Sequence, residues 1–75
     1  MTNKTDKEYK LKSSILSSYT YNSTEYILTV TYNDGESYMY KNIMPPTISN
    51  VFDSPGSIGS KFIRLIRSKS QGVKQ

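Results

Sequence analysis

The chain has 75 residues, a formal charge of +4 and a pI near 9.4, with neither cysteine nor histidine. These facts exclude a disulfide-stapled scaffold, the usual zinc sites, and catalysis by a histidine base or a cysteine nucleophile. A domain this small buries only about 60% of its unfolded surface, so a homo-oligomer is expected to supplement a thin core.

Residues 1–12 mix Lys, Asp, Glu, Thr and Asn without apolar periodicity and read as a mobile arm that joins the sheet late, near Tyr9 or Leu11. The polar start lacks a secretion signal, and no apolar run reaches membrane-span length, so a cytoplasmic location is expected. From Ser13 to Tyr21 the chain alternates loosely, with Ile15, Tyr19 and Tyr21 on one face and Leu16 on the other. Asn22-Ser23-Thr24 marks a turn.

Glu25 to Tyr32 gives the clearest strand. Tyr26, Leu28, Val30 and Tyr32 share one face, while Thr29 and Thr31 share the other. Glu36 to Tyr40 follows after Asn33-Asp34-Gly35. A two-residue Asp-Gly turn would set Val30 opposite Met39 and move Tyr38 and Tyr40 to the threonine face. A three-residue loop with Gly35 left-handed pairs Val30 with Tyr38 and Leu28 with Tyr40, keeping the large side chains together. The pattern selects the three-residue loop.

Pro45-Pro46 ends the strand and suits the first turn of a helix whose apolar face is Ile48, Val51 and Phe52. Asp53-Ser54-Pro55-Gly56 breaks it. A second helix starts near Ser57 or Ser60 and runs to about Ser68, with Phe62, Ile63 and Ile66 apolar, before a basic, frayed tail over 69–75. The expected fold is α+β: a three-stranded antiparallel β-meander followed by two short helices, within one domain at 13–68.

Charge is distributed unevenly. From Gly56 onward every charged side chain is basic (Lys61, Arg64, Arg67, Lys69, Lys74), and all six acids lie earlier. That one-signed quarter suits phosphate or nucleic acid. Ser57, Gly59 and Ser60 open the second helix, where free N–H groups attract anions, and Lys61, Arg64 and Arg67 follow to balance charge. The same stretch also reads as an ordinary capped helix with solvated cations. Gly56 to Lys61 is too short for a P-loop. Seven tyrosines and no tryptophan supply aromatic faces; Tyr19 and Tyr40 are the candidates for stacking on a base, while Tyr26, Tyr32 and Tyr38 read as packing. No metal or cofactor is expected.

Two stretches together resemble the KTSC domain, a module found at the C-terminus of some lysyl-tRNA synthetases. The first runs from Ser13-Ser14-Ile15 through Tyr21-Asn22 and Leu28-Thr-Val30-Thr-Tyr32 to Gly35-x-x-Tyr38-x-Tyr40. The second is Ser57-x-Gly59-x-x-Phe62-x-x-x-Ile66-Arg67. The resemblance covers Ser13 to Arg67 and implies a small β-meander with C-terminal helices and some association with nucleic acid. In size and character the chain is also similar to phage-encoded sponges that sequester cyclic nucleotide immune signals, such as the anti-CBASS proteins. The expected function is a non-enzymatic, oligomeric nucleotide-binding sponge, using Ser57, Gly59, Ser60, Lys61, Arg64, Arg67, Tyr19 and Tyr40 on a cyclic di- or oligonucleotide. The alternative is an RNA- or tRNA-binding accessory module that uses the same basic face. In the phage setting the location is the host cytoplasm.

Overall fold

A computed structural model of the protein describes residues 8–75. The first seven residues of the expected mobile arm lie outside the described residues. Five antiparallel strands form one sheet in sequence order: β1 (Glu8–Lys10), β2 (Leu16–Asn22), β3 (Ile27–Tyr32), β4 (Ser37–Tyr40) and β5 (Val73–Lys74). Helices α1 (Pro45–Phe52) and α2 (Ile58–Phe62) lie between β4 and β5, and α2 continues into a π-helical turn, Ile63–Arg67. The α+β meander stands, but with five strands rather than three. Glu8–Lys10 pairs with β2, and Val73–Lys74 pairs with β4. Both added strands are short and exposed, so burial leaves no periodic mark on their sequence.

The central hairpin has the expected register, with Val30 opposite Tyr38 and Leu28 opposite Tyr40. Gly35 takes φ +94, its N–H donates to the Tyr32 carbonyl at 2.9 Å, and the Tyr32 N–H donates to Glu36 at 2.8 Å. Together these bonds close the three-residue loop. Leu28, Val30 and Tyr40 therefore all face the helices, where they meet Ile48, Val51, Phe62 and Ile66 in one core.

Three details differ from the expected pattern. Pairing shifts between Leu16 and Ser18, so a β-bulge at Ser17 turns Leu16 into the core, fully buried, instead of onto the outer face. Tyr26 is not on the core face: it sits at φ 59, exposed, and β3 starts at Ile27. The cause is local, because the Asn22 side chain accepts the N–H groups of Thr24 (2.9 Å) and Glu25 (3.0 Å), winding a longer turn. Ile63 faces solvent, and the apolar stripe of the last helix is Phe62 with Ile66, one helical turn apart.

α1 begins at Pro45, whose missing N–H is no loss in a first turn. Its Phe52 stacks on Tyr19 of β2 at 3.9 Å between centroids. Phe62 of α2 meets Tyr40 edge-on at 5.5 Å. These ring contacts fix both helices on the sheet face.

Candidate functional site

The Ser57–Lys61 stretch is built to hold the fold together. The Ser57 hydroxyl caps α2 by accepting the Ser60 N–H at 3.3 Å. Gly59 is buried, and a Cβ there would lie 3.2 Å from the Ile15 side chain, so its lack of a side chain serves helix–sheet packing. Lys61 is only 8% exposed. Its ammonium donates to the Ser54 carbonyl (2.5 Å), the Ser54 hydroxyl (2.8 Å) and the Pro55 carbonyl (3.0 Å). An ammonium has three donors, and all three are committed to tying the α1–α2 loop to α2. Ser60 and Arg64 are exposed on the outer side of this segment.

The two tyrosines expected to stack on a base are core residues. Tyr19, 8% exposed, stacks on Phe52 and, at 5.1 Å, on Tyr9. Burial raises its phenol pKa, with smaller contributions from Asp53 and Tyr9. Tyr40 is 2% exposed, packs against Phe62, and shares a hydroxyl–hydroxyl bond of 3.0 Å with Tyr32. Its pKa is pushed well above the usual tyrosine value by burial, then by the Tyr32 bond. The Arg67 charge acts on it in the opposite direction, which locates that guanidinium beside the phenol.

Arg67 is the expected site residue that opens onto a concave surface. A cleft of about 590 Å³ lies between the β3–β4 hairpin and the C-terminal segment. Tyr32, Tyr38 and Tyr40 form one wall, Asn33, Asp34 and Glu36 the hairpin end, and Arg67, Ser70, Gln71 and Gly72 the other side. Tyr32 and Tyr38 meet edge-to-face at 5.3 Å and are half-buried, so part of each ring borders the opening. Asp34 accepts the Glu36 N–H at 3.0 Å, and Glu36 pairs with Lys74 at 2.9 Å.

The far side of the cleft is a strap running from Ser70 into β5. The Gln75 N–H donates to the Ser37 carbonyl at 2.9 Å, and Gly72 lies against the Tyr40 ring so closely that a Cβ would come within 2.6 Å of it. Strand alternation had assigned Tyr32 and Tyr38 to the core. The signal for their partial exposure was their place next to the hairpin loop, beyond the reach of two short helices. Nothing in the sequence marked Ser70 and Gln71.

The arrangement offers one guanidinium, three phenol rings, a serine and two amide side chains around an open cavity. That is binding chemistry: planar donors for phosphate oxygens, aromatic surface for a base, and amides for its edge. Among the described residues, no group of three or more His, Cys, Asp or Glu could hold a metal ion, and no helix is long and apolar enough to cross a membrane.

A five-stranded antiparallel meander with two helices inserted before its last strand is the architecture of a known class of small α+β domain. A KTSC domain protein from Yersinia pestis has this fold in its crystal structure, with a TM-score of 0.83 at 24% identity over 95% of this chain and 99% of that one. The KTSC family model matches residues 12–71, and the chain belongs to the KTSC domain family. No curated protein matches it.

Proposed function

We propose that the protein is a non-catalytic nucleotide-binding module that seats a nucleotide in the cleft beside Arg67. The supporting observation is the meeting of one exposed guanidinium with the partly exposed rings of Tyr32 and Tyr38 in a single cavity of nucleotide size. In this reading Arg67 takes a phosphate, while Tyr32 or Tyr38 replaces Tyr19 and Tyr40 as the aromatic surface. Lys61 takes no part, because its donors are already used. The physiological role that suits such a cleft is sequestration of a cyclic di- or oligonucleotide signal in the cytoplasm by an oligomer, as a phage-type sponge. Sequestration needs affinity and slow release, not turnover.

The exposed Arg64, Arg67 and Lys69 along one short segment favour a second reading, an RNA-binding accessory module tracking a phosphate backbone. A thermal-shift panel of mononucleotides, cyclic dinucleotides and short RNA separates the two. A ligand at a hundredfold excess over its Kd adds about 2.7 kcal/mol, which raises Tm by roughly 10–20 °C in a domain of this size. A shift with small nucleotides that disappears in Arg67→Ala supports the cleft. A shift with RNA alone supports the accessory module, and silence across the panel removes both.

A further inference from the structure

The cleft has a neighbour. A second groove, about 520 Å³, is lined by Lys41, Asn42, Lys69, Ser70, Gln71 and Val73. It shares Ser70 and Gln71 with the first cleft, so the two cavities lie on either side of the strap. Their charges differ. Both ionisable side chains of the second groove are lysines, whereas the first has Arg67 facing Asp34 and Glu36.

The strand register orders these charges along β4. The two acids sit at the hairpin end, and Lys41 directly follows the last residue of β4 at the other end. A phosphate on Arg67 is repelled by carboxylates on the hairpin side and attracted by Lys41 and Lys69 beyond the strap. The hairpin end instead has acceptors, the Asp34 carboxylate and the Asn33 side-chain carbonyl, that suit the amino groups on a base edge.

Building on the nucleotide-binding reading above, we infer that the Lys41–Lys69 groove is a second phosphate subsite. The ligand class is then a nucleotide carrying two phosphates, one on each side of the strap. Arg67 holds the first, the base points along the tyrosine wall towards Asn33 and Asp34, and the chain of the ligand crosses Ser70 and Gln71 to the lysine pair. The chemistry is shared by a cyclic dinucleotide and by a 5′-phosphorylated linear dinucleotide.

Calorimetric titration of the full chain tests this with AMP and GMP as one-phosphate probes, and with pApA, pGpG, cyclic di-AMP and cyclic di-GMP as two-phosphate probes. The wild type should bind a two-phosphate probe about tenfold more tightly than the matching mononucleotide, the value of one added charge-assisted contact. The Lys41→Ala/Lys69→Ala variant should lose that preference and bind the mononucleotide as the wild type does. Lys10→Ala/Lys12→Ala removes the same charge at the opposite edge of the sheet and should keep the preference. All four lysines are exposed, so folding is not at issue. Comparing cyclic with linear probes shows which source of the two phosphates the site prefers.

Three results overturn the inference: a preference that survives in Lys41→Ala/Lys69→Ala, an equal loss of one- and two-phosphate binding in that variant, or mononucleotide binding without any preference. The last leaves the cleft itself standing as a nucleotide site. Failure of every probe to bind the wild type removes both.

Discussion

Replacing Lys61 with methionine distinguishes a lysine that holds the fold from one that holds a ligand. Methionine keeps the unbranched stem and removes the ammonium. In the wild type that ammonium makes three hydrogen bonds, at 2.5, 2.8 and 3.0 Å, from a side chain only 8% exposed. A hydrogen bond to a charged group contributes about 1.5–3 kcal/mol net. The three share one cation and do not add. Pro55 is exposed and Ser54 half-buried, so water recovers part of what is lost. Relief of the lysine's desolvation also offsets part of the loss. The balance is a destabilisation of about 2 kcal/mol, which lowers Tm by roughly 8–16 °C in a domain of this length. Urea and thermal melts with and without a saturating nucleotide read both quantities. The variant should melt earlier yet show the full ligand-induced shift. An unchanged Tm together with a lost ligand shift would refute the assignment and make Lys61 a ligand cation after all.

Gly72→Ala forces a methyl group to within 2.6 Å of the buried Tyr40 ring. The short strap should lift before the ring moves, costing about 1–2 kcal/mol in a urea melt; a larger cost than deleting 72–75 would contradict this. Tyr40→Phe removes the bond to Tyr32 and should cost about 1 kcal/mol at neutral pH. Because Tyr40 holds its proton above the usual tyrosine pKa of 10, its contribution is complete below pH 10 and declines as pH rises towards the folded-state pKa. Urea melts across pH 8–12 should therefore show a shallower alkaline decline in Tyr40→Phe. Part of the slope remains, since Tyr19, Tyr21 and Lys74 are shifted in the same direction. Tyr26→Asn puts a residue that tolerates the left-handed region at φ 59 and should gain about 0.5 kcal/mol, measured as a higher urea midpoint.

The hairpin was legible because its alternation left one register that kept Leu28, Val30, Tyr38 and Tyr40 together, and the glycine that register needs was present. The same alternation misplaced Tyr26, since a periodic pattern does not show where a strand gives way to a side-chain-bonded turn. Leu16 was hidden by a bulge, which shifts the period by one. The site was harder to read for a different reason. Lys61 satisfies itself on the oxygens of Ser54 and Pro55, brought close by a turn with no distinctive residue code, so composition could not separate a buried tie from a free cation. Of the basic run, Arg67 alone reached the cleft beside Tyr40, and it did so because of the helical geometry that precedes it.

That geometry makes chain length a control on the site. In the π turn the Ser68 N–H reaches back five residues to the Ile63 carbonyl, at 2.9 Å, so this stretch holds one residue more than an α-helical turn. Deleting Leu65 would let α-helical bonding resume, and everything after it would be displaced by about 100° around the helix axis. Phe62 would stay in the core, but Arg67 would swing away from the tyrosine wall and the strap would depart in another direction. Among relatives of similar sequence, a one-residue difference in length here would change what the cleft can hold more than any single substitution lining it.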